Sequence, residues 1–266
     1  MKIKKRNGVI ALIFTAFYSY SVAQITPPGL GKTPASLWLA VALQQELDTI
    51  KNKGWQSTTY LGYARISNPN TFNPLDKPGI FILNQEFAHQ FHKNLQYTLA
   101  LSYRRQHEYS STAPYYHDNP DIMQEFRFYT RFSYSYKTKY IKLTPTLRQD
   151  FRKFFTPDFQ NYSDNWQIRT RFRLQLAVNL DTKNMHKIII NSEQLFSSTQ
   201  NLSTKKWNGY KYRDSRFSLF YAYSPKTMPC TFNIGYMNNL IGTTKLFDGH
   251  YFSLDVTFKN LFSKSK

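Results

Sequence analysis

Apolar and polar residues alternate along this chain with a period of two, and no helical spacing is sustained anywhere. In WQIRTRFRLQLAVNLD (166–181) the even positions are Trp166, Ile168, Thr170, Phe172, Leu174, Leu176, Val178 and Leu180. The odd positions carry Gln167, Arg169, Arg171, Arg173, Gln175, Ala177, Asn179 and Asp181. Successive side chains of a strand point to opposite faces, so this stretch reads as a strand between two different environments. The same alternation marks Leu95 to Arg104, Glu125 to Tyr136, Arg216 to Tyr223 and Phe252 to Phe258. Weaker examples lie at 37–47, 54–66, 79–91, 139–152, 185–196 and 230–239, which makes eleven strands in all.

The connections alternate too. Short links fall at 92–94, 137–139, 181–184 and 224–229, and long polar ones at 67–78, 107–121, 153–164, 197–209 and 239–249. Turns on one side and loops on the other is the arrangement of a transmembrane β-barrel with periplasmic turns and extracellular loops. Tyr134, Tyr136 and Tyr140 flank one short link, and Tyr221 and Tyr223 precede another. That placement predicts an aromatic girdle at the periplasmic interface.

Eleven is an awkward number, because single-chain bacterial barrels normally have an even count with both ends periplasmic. A short first turn at 48–53 would start the first strand outside the cell. Either a twelfth strand is hidden or residues 24–36 climb through the lumen before pairing. The expectation is therefore an all-β chain forming a single antiparallel up-and-down transmembrane β-barrel of about 12 strands, within a range of 10–12. Pro145, unable to donate to a ladder, predicts a bulge.

The first residues add an address. Lys2, Lys4, Lys5 and Arg6 precede an apolar run from Val9 to Tyr20, and Ser21-Val22-Ala23 fits a small-x-small cleavage site. This predicts a secretory signal peptide over 1–23, followed by an N-terminal periplasmic segment (24–36), a barrel domain (37–262) and a polar tail (263–266). No cysteine follows the cleavage site to carry a lipid. Cys230 is the sole cysteine, which excludes an internal disulfide and a cysteine-based metal site.

Composition agrees with a membrane barrel. Twenty Tyr and 22 Phe outnumber 10 Gly, which suits a sheet with a broad apolar face. The net charge of +19 favours contact with phosphate. Export makes anionic outer-membrane lipids, lipopolysaccharide among them, the expected partners, together with the barrel-assembly machinery, and the cell outer membrane the expected location. Nucleic acid is not an expected partner: base stacking needs aromatics and arginines on one face, and here they lie on opposite faces.

By parity the polar face carries Glu125, Arg127, Arg131, Arg148, Asp150, Arg152, Arg169, Arg171, Arg173, Glu193 and Arg216, with Glu86 on a weaker strand. Each Arg would cost about 2–4 kcal/mol at mid-depth in lipid, so these residues are expected to face the lumen. There they would form either an ion-pair ladder that fills the barrel or a path favouring small anions.

A catalytic reading is weaker. His89 and His92 lie on opposite faces of one strand and cannot chelate together. No G-x-S-x-G, Gly-rich phosphate loop or H-E-x-x-H occurs. Neither catalytic residues, metal nor cofactor are expected. The alternatives are an outer-membrane lipid-modifying enzyme of phospholipase or deacylase type, and a soluble periplasmic barrel that binds a ligand.

Several segments resemble the domain-of-unknown-function family 2490, widespread in Bacteroidetes. They are Trp38, QEFRFYTRF (124–132), TLRQDFRKF (146–154), IRTRFRLQL (168–176), the Asn191-x-Glu193 pair and SRFSLFYAY (215–223). The resemblance implies an exported outer-membrane barrel and no assigned activity. The segment YFSLDVTF (251–258) also resembles the C-terminal assembly signal of such barrels, although KNLFSKSK follows it.

Overall fold

A computed structural model describes residues 27–47 and 54–262. The expected signal peptide, the first turn and the C-terminal tail lie outside the described residues. The chain is all β: β1 (Ala35–Glu46), β2 (Gly54–Ile66), β3 (Lys77–His92), β4 (Leu95–Tyr109), β5 (His117–Tyr134), β6 (Tyr136–Lys137), β7 (Ile141–Phe155), β8 (Asn161–Asn179), β9 (His186–Asn201), β10 (Lys211–Tyr223), β11 (Cys230–Ile241) and β12 (Phe247–Lys259).

Neighbours in sequence pair antiparallel around a single sheet, and β1 closes it against β12. That last pair is parallel, running from Ala35 opposite His250 to Gln44 opposite Lys259. Parallel closure follows from arithmetic. Each hairpin reverses the chain, so an odd number of walls leaves the first and last strands pointing the same way.

The wall has eleven strands because β6 continues β5. Ser133 pairs with Thr146 and Tyr136 with Leu143 in one unbroken register on β7. The gap between them falls opposite Pro145, which has no N–H to donate. Pro145 therefore interrupts a ladder and does not bulge it, since the β7–β8 register passes Pro145 and Leu174 without a shift. The shifts lie elsewhere, for example between Ala64 and Arg65, and between Lys153 and Phe155.

Several connections are shorter than the sequence predicts. Pairing runs on through residues expected to be loops, leaving 110–116, 156–160 and 202–210 outside the strands at what we call the loop end. The opposite, turn end holds 93–94, 138–140, 180–185 and 224–229. At 180–185, Asn184 takes φ = 57° and Asp181 accepts the backbone N–H of His186 at 3.0 Å, two usual marks of a tight turn.

The two faces are inverted relative to a water-soluble barrel. Phe172 and Leu174 are 52% and 49% exposed, while Arg171 between their faces is buried. The same holds around the wall, with Leu61, Leu83, Leu101, Phe128, Leu147, Ile190, Leu219, Ile234 and Leu254 all outward. Outward aromatics gather at both ends: Trp55, Tyr134, Tyr136, Tyr140 and Tyr221 towards the turns, and Tyr63, Phe126, Phe159, Trp166 and Tyr236 towards the loops.

The N-terminal segment does not hang beside the turn end. Residues 27–34 enter the barrel at the loop end, where the Gly29 carbonyl accepts from Arg104 Nη2 at 2.8 Å and the Leu30 N–H donates to Tyr251 Oη at 3.1 Å. A Cβ on Gly29 would lie 2.5 Å from Arg216 Nη2, so a larger residue there would displace that guanidinium as the segment passes between β4 and β10. Residues 27–34 thus lie inside the barrel at its loop end, against Arg104, Arg216 and Tyr251.

Candidate functional site: the charged lumen

The interior is divided. On β1, β2, β3, β11 and β12 the inner wall towards the loop end is apolar, with Trp38, Ala40, Ala42, Ala64, Ile66, Ile80, Ile82, Met237 and Tyr251 packed together with Leu30 of the N-terminal segment, while nearer the turn end the same strands turn Asn84, Asn233 and Asp255 inward. Trp38 is fully buried, and its ring lies over Gly62, where a Cβ would come within 2.0 Å of it. From β4 to β10 the inner wall is charged.

All eleven polar-face residues expected from parity line this interior, together with Glu86. Their pairing differs from the expected alternation of base and acid on facing strands. The residues directly opposite one another are often both arginines: Arg127 faces Arg152, Arg131 faces Arg148, and Arg148 faces Arg171. Like charges directly opposed are destabilising. A carboxylate two residues along one of the strands relieves this by bridging diagonally.

Glu125 is the clearest case. Its Oε1 accepts from Arg127 Nε at 2.7 Å and Arg152 Nε at 2.8 Å, and its Oε2 from Arg152 Nη2 at 2.6 Å. Arg104 Nε stands 3.9 Å from the same carboxylate. Asp150 does the same for the next pair, with Arg148 Nε at 2.7 Å on one oxygen and Arg171 Nε at 2.9 Å on the other. Both carboxylates are fully buried.

The chain of charge continues. Arg171 reaches Glu193 at 3.9 Å, Glu193 meets Arg216 at 3.5 Å, and Arg216 meets Asp214 at 3.3 Å. On the other flank Glu86 takes Arg131 Nη2 at 2.6 Å and the Tyr129 hydroxyl, and the Arg148 guanidinium lies 3.4 Å above the Tyr129 ring. Charge-assisted and bidentate contacts of this kind are what make burial of so many ions tolerable.

Arg169 stands apart. Its Nη2 donates to Gln167 Oε1 at 2.9 Å, and its Nε is buried without a hydrogen-bond partner among the described residues. Arg173 lies directly opposite Glu193 on β9.

Sequence reasoning missed Arg104, Asp214 and Tyr129. Arg104 was detectable, since parity already put it on the polar face of β4. Tyr129 was detectable in the same way, since parity sets it between Arg127 and Arg131 on the inward face of β5. The histidines stay off the lumen network. His186 hydrogen-bonds Tyr221 at 2.5 Å near the turn end, and His250 hydrogen-bonds Tyr236 at 2.6 Å near the loop end, so the two do not meet.

Among the described residues no group of His, Cys, Asp and Glu is placed to hold a metal ion. A comparison with curated proteins finds no match. The model of one family, described as a protein of unknown function (DUF2490), matches residues 35–246, from the first residue of β1 to the last before β12. The chain belongs to that family, and its fold is a β-barrel.

Proposed function

We propose that this protein is an outer-membrane β-barrel that spans the bilayer with its loop end outward and acts as a structural, non-conducting wall element. The observation that carries this reading is the inversion of the faces. A continuous outward belt of Leu, Ile and Phe is bounded at both ends by Tyr and Trp, while the arginines look inward. Outward polar side chains within the belt satisfy each other. Thr170 Oγ1 donates to Gln149 Oε1 at 2.6 Å, and Gln85 Nε2 donates to Ser57 Oγ at 2.7 Å, which lowers their cost in hydrocarbon. Outward cations such as Arg65, Arg105 and Lys153 keep to the loop end.

The lumen supports closure. Bulky apolar groups fill one side, bridged arginines fill the other, and residues 27–34 enter between them. Surplus guanidinium at Arg169 favours a second reading, a path for small anions.

Fractionation tests the membrane reading. The protein should stay with membranes after carbonate washing and migrate faster unboiled than boiled on a gel, whereas release by carbonate overturns it. Planar-bilayer recording separates the two lumen readings. A silent bilayer is expected. Anion-selective steps that weaken when Arg169, Arg171 and Arg173 are replaced by Gln would install the second reading.

A further inference from the structure

Lysines collect at one place that the arginine network does not reach. Lys137 ends β6, Lys142 is the second residue of β7, Lys187 the second of β9, and Lys259 the last of β12. All four therefore stand at the turn end. Parity turns them inward, since Thr144, Ile189 and Thr257, two residues deeper on β7, β9 and β12, are buried, and so is Ser133, four residues before Lys137 on the same wall strand.

The register places them close around the rim. Lys137 pairs directly with Lys142, Lys142 with Ala177, and Lys187 with Asn179 two residues further along β8. Each ammonium feels another: Lys142 is in electrostatic range of Lys137 and Lys187, and Lys259 of Lys187.

Deeper in the barrel a carboxylate bridges opposed cations. Among the described residues the acidic groups at this rim are Glu46, at the end of β1, and Asp181, in the 180–185 turn. Asp181 is already engaged by the backbone N–H of His186. Four half-sheltered or exposed ammonium groups around one opening repel one another, and an anion carrying several charges removes that repulsion. Lysine suits such a ligand, because it is a point charge with three rotatable donors that needs no planar partner.

We propose that Lys137, Lys142, Lys187 and Lys259 form a binding site at the turn-end mouth for a multiply charged phosphate-bearing anion. The inference uses the barrel and the direction of its inner face. It goes beyond the membrane reading and does not depend on it.

The test uses the mature chain folded in a zwitterionic detergent, titrated calorimetrically with inorganic tripolyphosphate. Saturable binding that weakens with added salt is expected. The variant Lys142→Gln/Lys187→Gln/Lys259→Gln should bind about tenfold more weakly or worse. The variant Lys205→Gln/Lys206→Gln, in the 202–210 loop at the opposite end of the barrel, should bind as wild type.

Single Lys142→Gln and Lys259→Gln variants carry the same reading if the triple variant does not fold. A second arm places the barrel in nanodiscs with and without phosphatidylglycerol. Competition by that lipid assigns the site to a headgroup, and indifference assigns it to a free phosphate compound. No binding in either arm, or equal loss in the Lys205/Lys206 variant, overturns the proposal. A protein that carbonate releases but that still binds tripolyphosphate overturns only the membrane reading.

Discussion

The two halves of the inner wall solve one packing problem by different physics. From β11 through β3 the lumen is filled by shape towards the loop end, with Trp38 laid over Gly62 and Ile80, Ile82, Met237 and Tyr251 closing around it. From β4 to β10 it is filled by charge, with Glu125 and Asp150 each shared between arginines of neighbouring strands. The outward wall is apolar on both sides, so the division is private to the interior. Shape filling tolerates the loss of a side chain as a cavity. Charge filling does not, because removing one acid strands two or three cations at once.

That asymmetry sets the order of expected effects. Glu125→Ala should be the most damaging single change, about 4–5 kcal/mol, because it leaves Arg104, Arg127 and Arg152 buried without their shared acid. Urea unfolding of the barrel in lipid vesicles measures it, or failure to give a heat-modifiable band shows it outright. The combined variant Glu125→Leu/Arg127→Met/Arg152→Met should recover most of the loss, since a buried ion cluster replaced as a whole is often neutral. If the combined variant is worse than Glu125→Ala, the charged half is not simply filler.

Trp38→Ala should come next, at about 3–4 kcal/mol, from lost apolar contact plus the cavity left in the other half. Gly62→Val probes the same region from the wall side. It should cost about 1–3 kcal/mol through displacement of the Trp38 ring, read as a shift in the intrinsic fluorescence of the folded barrel. Equal responses to Glu125→Ala and Trp38→Ala in a double-mutant comparison with Arg152→Met would erase the distinction between the halves.

The smallest effect lies outside the wall. In the 67–76 loop, hydrogen bonds from Thr71, then from the Asn68 backbone N–H and Asn73, hold the Asp76 carboxyl below its ordinary value. A depressed folded value means that this contribution is present above the ordinary carboxylate range and is lost as pH falls through the folded value. Limited proteolysis should therefore cut this loop faster at acid pH than at neutral pH while the barrel stays intact. Asp76→Asn should cut equally at both.

Much of this was legible from period two alone. The alternation at 166–181 placed Arg169, Arg171 and Arg173 on one face and Phe172 and Leu174 on the other, and the structure keeps that assignment. Parity says which residues share a face. It does not say which residue of the next strand stands opposite, because register is set by turns and shifts that local pattern does not encode. That is why the arginine-opposite-arginine geometry was hidden, and with it the bridging role of Glu125 and Asp150. The apolar half was hidden for a related reason. Trp38, Ile80 and Ile82 alternate with Leu37, Leu39, Phe81 and Leu83, which are apolar as well, so the local pattern does not mark which of the two faces turns in. The eleven strands of the wall were legible too, and what the pattern did not show is that Pro145 interrupts the β5–β7 ladder and divides off β6 without bulging it.

The seam where Ala35 meets His250 carries a last consequence, for how the cylinder is made. Every other junction joins neighbours along the chain and can zip from a nearby bend. This one must bring together the two extremes of the polypeptide, the most entropically demanding contact in the molecule. Until β12 has been synthesised and delivered, β1 and β11 both present bare edges, and an unclosed sheet is a template for its own aggregation. Shortening the chain by that one final strand should thus abolish accumulation of the protein altogether, not trim its stability.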